Sequence, residues 1–257
     1  METLLICIVA FAAAGLTLFS GFGLGTILMP VTAIFFPVPV AVAITAVVHL
    51  LNNLFKLALL WRRVSVRVLL IFGIPAAVAA IPGALLLDYL SGMEPLARYT
   101  LAGSDYAVMP VKLAAGVLLI VFATAELLPF LNRVSEHHLG LPSGGVLSGF
   151  FGGLSGHQGA FRSAFLLKAG LGKEAFIATN AAIAALVDSS RILVYGATFE
   201  STLLKEQGGL IVFATLSAFF GVFLGARLLK KVTLSFIRKL VAVMLYLLGG
   251  LLCAGII

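Results

Sequence analysis

Apolar residues run almost without a break along this chain, and polar ones gather at a few short places. Apolar runs cover residues 3–36, 40–60, 68–89, 107–131, 147–168, 174–195, 208–229 and 235–257. Each is at least about the 20 residues that an α-helix needs to cross the hydrocarbon core of a bilayer. The runs are continuous and do not alternate, which argues against a transmembrane β-barrel. The pattern therefore predicts an all-α polytopic membrane protein. Phe36-Pro37-Val38-Pro39 reads as a turn, and Pro75 and Pro82 are expected to kink the third run. Residues 91–106 read as a mixed loop carrying Glu94, Arg98 and Asp105. Residues 132–140 read as a polar loop with Arg133, Glu136, His137 and His138, and residues 196–207 as a loop with Glu200, Lys205 and Glu206.

Two runs are not plain spans. Residues 147–168 read LSGFFGGLSGHQGAFRSAFLLK, with glycines, His157, Gln158 and Arg162 where a spanning helix would carry leucine. A weaker copy lies at residues 19–30, FSGFGLGTILMP, broken at Gly21, Gly23 and Gly25. Arg62, Arg63 and Arg67 mark one cytoplasmic loop, and Arg227, Lys230, Lys231, Arg238 and Lys239 another. The loops at 91–106 and 196–207 are nearly balanced in charge and are placed outside. Counting from the basic loops puts both 132–140 and 169–173 inside, so the segment between them starts and finishes on one face, as a re-entrant hairpin. For the first copy a full kinked span stays open, because residues 3–20 reach about 27 Å against a core of ~30 Å.

The halves share further features in the same order. Ser20-Gly21-Phe22 recurs as Ser148-Gly149-Phe150, Ile44-Thr45 loosely as Ala178-Thr179, and Gly83-Ala84 as Gly225-Ala226. Equivalent loops fall on opposite sides, which is the pattern of an inverted-topology repeat. The expected division is residues 1–131 as one membrane repeat, 132–140 as a cytoplasmic linker and 141–257 as the second repeat. Each repeat is one glycine-broken segment plus three spans.

A backbone break at membrane depth is tolerated where protein or a water-filled cavity covers it. The half-helix that follows starts with unpaired N–H groups at the positive end of its dipole. Gly25-Thr26-Ile27 and Gly159-Ala160-Phe161 are such starts, and two of them meeting near the midplane would make an anion site. Arg162 would add a full charge, and His157 and Gln158 directional hydrogen bonds. The plain alternative is glycine for tight packing, with Arg162 reaching the cytoplasm. Thr45, His49, Asn52, Asn53 and Lys56 follow the first break; Thr179, Asn180, Asp188, Ser189, Ser190 and Arg191 follow the second. Ionisable residues inside a membrane are functional candidates. The i, i+3 spacing of Asp188 and Arg191 also fits a local ion pair, and Lys56 is expected to snorkel. Glu126 reads as interfacial.

Composition agrees: 61% hydrophobic and 11% charged leaves too few charges to coat a soluble domain of 257 residues. The net charge of +7 sits in short loops without aromatic interleaving, so nucleic acid is not an expected partner. Cys7 and Cys253 both lie in apolar runs and make neither a disulfide framework nor a metal spacing. Met1-Glu2 gives no basic n-region, so the first run is not expected to be a cleaved signal peptide.

The chain resembles the sulfite exporter TauE/SafE family over nearly its whole length. The carriers are Gly21-Phe22-Gly23-Leu24-Gly25-Thr26-Ile27-Leu28-Met29-Pro30, its counterpart from Gly149 to Arg162, and the Gly83-Ala84 and Gly225-Ala226 steps. The chain departs from the family in its reduced run of consecutive glycines and in Arg162-Ser163, where proline is common. The resemblance implies transport of sulfite, sulfonates or related organic anions.

A rival reading is an intramembrane serine protease of the rhomboid type. Gly153-Leu154-Ser155-Gly156 matches its nucleophile motif, and His49 with Asn53 its H-x-x-x-N. No His follows His157, and His157 is expected to lie too close to Ser155 in sequence to serve as base. An anion channel or a membrane assembly factor is the third reading. The expectation taken forward is a secondary active transporter of small anions, with export the expected direction, in a bacterial inner membrane. One repeat would move against the other. Substrate would bind at Gly23, Gly25 and Thr26 of the first break and at Gly156, His157, Gln158, Gly159 and Arg162 of the second. Thr45, Asn52 and Asn180 would flank it. A proton or cation would couple through His49 and Asp188. No catalytic residue, metal or cofactor is expected; the partners are the small anion and the bilayer, with a homodimer left open.

Overall fold

The computed structural model describes residues 1–20, 24–127, 140–198, 206–228 and 234–257. Gly21, Gly23, the His137-His138 pair, Glu200, Lys205 and Lys230-Lys231 lie outside the described residues, as do the side chains of Glu126, Arg227 and Arg238. The described residues are helical apart from short turns and one small hairpin. Helices α1 (Glu2–Ser20) and α2 (Leu24–Thr32) precede α3 (Val38–Leu60), whose Pro39 sits in the first turn, where a missing N–H is tolerated. Helix α4 (Val66–Ser91) opens with a π-helical turn at Leu69–Gly73, just ahead of Pro75, and runs on through Pro82. Then come strands β1 (Ala97–Leu101) and β2 (Ser104–Val108) and helix α5 (Pro110–Leu127). The second part of the chain holds α6 (Leu141–Ser155), α7 (Gly159–Leu167), α8 (Lys173–Thr198), α9 (Gly208–Leu228) and α10 (Leu234–Cys253).

Within the stretch read as a loop at 91–106, the residues from Ala97 on belong instead to that antiparallel hairpin, with Tyr99 opposite Tyr106 and Leu101 opposite Ser104. Ala102 (φ 52°) and Gly103 (φ 82°) are both left-handed, the geometry a two-residue hairpin turn demands. Arg98 and Asp105, two of the charges that pointed to a loop, lie on exposed strand positions, and Glu94 precedes β1. Tyr99 donates its hydroxyl to the Ala254 carbonyl (2.5 Å), which joins the hairpin to the end of α10.

Among the described residues, four helices are long and apolar enough to cross a membrane: Val38–Arg63, Val66–Ser91, Lys173–Ala197 and Gly208–Gly225. Their outer faces are apolar: Phe213, Phe220 and Phe223 of α9 are exposed, as are Val78 and Leu85 of α4. Such a belt is stable against lipid chains, not against water. The protein is a multi-pass helical membrane protein.

Without a hydrophobic drive between helices in lipid, close backbone approach does the packing. Gly145, Gly149 and Gly153 of α6 lie on the carbonyls of Phe72, Ala76 and Ala80 of α4; a Cβ added at Gly149 would stand 1.9 Å from the Ala76 oxygen. The partners advance together along both chains, so α6 and α4 are parallel. Gly221 and Gly225 of α9 meet Phe11 and Gly15 of α1 in the same sense. Gly116 of α5 and Gly249 of α10 face each other. Helices α3 and α8 run antiparallel, tied at one end by the Ser65 N–H donating to Thr179 Oγ1 (2.9 Å) and midway by His49 and Asp188. Each of these four pairings joins an element of the first part of the chain to one of the second.

Both interruptions are real ends of helices. Helix α6 stops at Ser155 with Gly156 in the left-handed conformation (φ 79°), whose N–H donates to Gly152 O (2.9 Å). The chain then folds back. The Gln158 side chain packs at Gly152, the Phe165 ring lies over Gly144, and Ser148 Oγ donates to Gln158 O (3.0 Å). Helix α7 is therefore antiparallel to α6, and the segment is a hairpin. In the first copy α1 ends at Ser20 and α2 starts at Leu24, with every residue of α2 buried. The Ser20-Gly21-Phe22 and Ser148-Gly149-Phe150 match is out of register, because Ser20 ends its helix while Ser148 lies about two turns before the end of α6.

Candidate functional site

The two interruptions meet. A Cβ placed on Gly25, in the first turn of α2, would lie 3.3 Å from the Gly156 oxygen at the end of α6 and 3.7 Å from the Thr45 methyl. Thr26, beside it, is buried. Gly159 opens α7, and no side chain caps that helix, so its first amides and their partial positive charge face the same region. Gly23 lies outside the described residues.

Around this meeting point sits a continuous polar network. Arg162 donates through Nε to Asn180 Oδ1 (2.6 Å) and through Nη1 to Gln158 Oε1 (2.6 Å). Gln158 Nε2 donates to Asp188 Oδ1 (2.9 Å), and His49 Nδ1 lies 2.6 Å from Asp188 Oδ2. Arg191 Nε donates to Asp188 Oδ1 (3.0 Å) and Nη1 to Gly152 O (3.1 Å), the carbonyl that also accepts from the Gly156 N–H. Arg191 Nη2 stands 2.8 Å from the same carboxylate oxygen, at ion-pair distance without hydrogen-bond alignment. The Tyr195 hydroxyl donates to Gly153 O.

The charge balance of this network is uneven. Arg162, Asp188 and Arg191 are each at most 1% exposed, so two guanidiniums share one carboxylate away from water. Arg191 takes the carboxylate directly, as the i, i+3 spacing allowed. Among the described residues, Arg162 is left with two neutral amide oxygens. Arg162 does not reach for the cytoplasm; α7 turns its side chain inward against α8. Leaving a buried charge without a counter-charge is costly, and an anion would offset that cost.

Helix α3 presents Thr45, His49 and Asn52 on one face, at spacings of four and three. His49 is held by Asp188. Thr45 Oγ1 and both polar atoms of the Asn52 amide are buried without a hydrogen-bond partner. Asn53 is not part of this face, because its amide donates to His49 O (2.8 Å). Thr179 is occupied at Ser65, Ser189 is exposed and Ser190 is half-buried, so none of the three joins the network.

His157 stands apart. Its ring stacks on Phe122 of α5 (centroids 5.6 Å, 9° between planes), within an aromatic cluster that includes Phe151 and Phe161. Its Nδ1 lies 3.1 Å from Ser155 Oγ, so the two are within reach of each other despite their closeness in sequence. Two features count against a nucleophile–base pair. His157 Nε2 has no partner to orient the ring, and Ser155 Oγ bonds back to Phe151 O (3.1 Å).

Sequence reasoning passed over Tyr195 and Phe122. Tyr195 was detectable, because it falls at i+7 from Asp188 and so on the same helix face as Arg191. Phe122 gave no signal, being one phenylalanine among many in an apolar run.

No curated protein and no solved structure matched the chain. The family model described as "Sulfite exporter TauE/SafE" matches residues 6–252. Both broken segments and every residue of the network fall inside that span, and the chain belongs to the sulfite exporter TauE/SafE family of membrane transporters.

Proposed function

We propose that the chain is a secondary transporter, in the export direction, for small anions such as sulfite, sulfonates or related organic anions in a bacterial inner membrane. The observation that carries this reading is Arg162: a buried guanidinium whose hydrogen bonds, among the described residues, go to amide oxygens and not to a carboxylate, beside the meeting of the two helix breaks. The anion sits between the starts of α2 and α7. Arg162 neutralises it, and Thr45 and Asn52 supply donors from α3.

Helix directions support an inverted repeat. With Arg62, Arg63 and Arg67 inside, α4 and its parallel partner α6 run outward, and α7 brings the second segment back to the inner face. Arg63 pairs with Glu174 at that end (3.1 Å). Helix α9 runs inward, and so does α1 beside it. Helix α2 lies antiparallel to α3, with Gly25 opposite Thr45, and returns to the outer face. The two broken segments then enter from opposite faces and touch near the midplane. The moving bodies are composite, because the glycine contacts lock α1 to α9 and α4 to α6. One sequence half does not slide as a unit past the other.

Protein reconstituted in liposomes tests the reading. Labelled sulfite, methanesulfonate and a small carboxylate should show saturable uptake and counterflow for at least one anion. Ion current without counterflow would mark a channel instead.

The unpartnered Asn52 amide gives a prediction with a distinctive sign. Each unsatisfied buried polar group costs about 1–3 kcal/mol. Asn52→Leu should raise the melting temperature of the ligand-free protein while weakening anion binding about tenfold, or roughly 1.4 kcal/mol. Lower stability with unchanged binding would remove Asn52 from the anion site.

A further inference from the structure

The His49–Asp188 contact joins α3 to α8, elements from opposite parts of the chain. Its carboxylate is also the acceptor for Gln158, whose other end holds Arg162. Two side chains, Asp188 and Gln158, thus connect the His49 imidazole to the guanidinium assigned to the anion. We infer that His49 carries a coupled proton, taken up when the anion binds beside Arg162 and released with it; this rests on the transporter reading above.

The geometry sets the tautomer. Nδ1 faces the carboxylate at 2.6 Å, so in the neutral ring Nδ1 bears the hydrogen and Nε2 the lone pair. A proton from bulk water adds to Nε2, giving imidazolium while Nδ1 keeps its bond to Asp188. On release the proton returns to water. His49 keeps 3% exposure where Asp188 has none, so the imidazole is the more open member of the pair.

The charged groups facing His49 are Asp188 and Arg191 from α8 and Arg162 from α7, and half-buried Lys56, two turns farther along the same face of α3, lies near Arg162. With His49 neutral, the two guanidiniums and one carboxylate carry one net positive charge, and the Lys56 ammonium adds to it near Arg162. A further positive charge is disfavoured while the site is empty. An anion at Arg162 removes that objection, and by reciprocity a protonated His49 tightens anion binding. The coupled species is therefore an anion with a proton.

Methanesulfonate separates the protein's proton from the ligand's, because it stays ionised at any working pH. Adding it to wild-type protein in weakly buffered detergent near neutral pH should take up about one proton per site. In liposomes carrying an internal pH dye, a methanesulfonate gradient should move protons with the anion. In His49→Gln, which keeps a donor for Asp188, the proton-to-anion ratio should fall at least about tenfold. Should that variant not fold, the imidazole nitrogen resonances of isotope-labelled wild-type protein decide: one ring must gain a proton on methanesulfonate addition. Anion movement with no proton overturns this inference and leaves the transporter reading standing. An unchanged ratio in His49→Gln removes His49 as the carrier. No binding or transport of methanesulfonate, sulfite or carboxylate overturns both.

Discussion

Arg162→Ala is expected to lower anion affinity at least about 100-fold, or roughly 2.7 kcal/mol, measured by titration with sulfite or methanesulfonate. The same change should cost little stability. It deprives the Asn180 and Gln158 oxygens of a donor, but it also removes a buried charge that has no carboxylate of its own. A melting temperature that holds while binding disappears is the signature of a group kept for a ligand. Arg162→Lys should fall between, since the point charge survives but the planar fork that reaches both amides does not. Wild-type uptake by the alanine variant would place the anion elsewhere.

Gly149→Ala should have the largest effect on folding. The new methyl would lie 1.9 Å from the Ala76 carbonyl and 2.7 Å from its Cα, all backbone that no rotamer change can move. Helix α6 would have to leave α4, at a cost of roughly 3 kcal/mol or more. The expected result is loss of the cooperative thermal transition in detergent. Gly250→Ala is the matched control. It lies in α10 with nothing within 4 Å of the added atom, so it should be neutral or gain up to about 1 kcal/mol of helix propensity. Equal behaviour of the two variants would show that the α4–α6 contact is not what holds this region.

These two residues also mark how far the sequence could be read. Glycine and polar residues inside apolar runs are local signals, so the starts of α2 and α7 and the candidate status of Arg162, Asn180 and Asp188 were legible. Whether Arg162 reached outward or inward was not. That depended on α8 arriving beside α7 with Asn180 and Gln158 as acceptors, a contact between separate segments. The sequence match at Ser148-Gly149-Phe150 misled for the same reason, since Gly149 serves the contact with Ala76 and not the turn, which belongs to Gly156. The hairpin at Ala97–Val108 was hidden by its own charges. Its turn uses Ala102 in a left-handed conformation that alanine seldom adopts, so the usual Asn-Gly or Asp-Gly cue was missing. The pairing of His49 with Asp188 joins residues far apart in the chain and leaves no periodic trace in either helix.

The cross-chain pairing of helices has a consequence for how the protein is made. Helix α1 leaves the ribosome well before the glycine face it must dock against, on α9, has been translated. Meanwhile Gly15 and the neighbouring Phe11 carbonyl have only lipid, or an insertion chaperone, to lie against. Helix α6 escapes this wait, because α4 is already in the membrane when Gly145, Gly149 and Gly153 emerge. Assembly therefore begins around the second hairpin; α9 then captures α1, and α10 captures α5 through Gly249 and Gly116, so premature termination before residue 208 should strand both earlier helices and mark the nascent chain for membrane quality control.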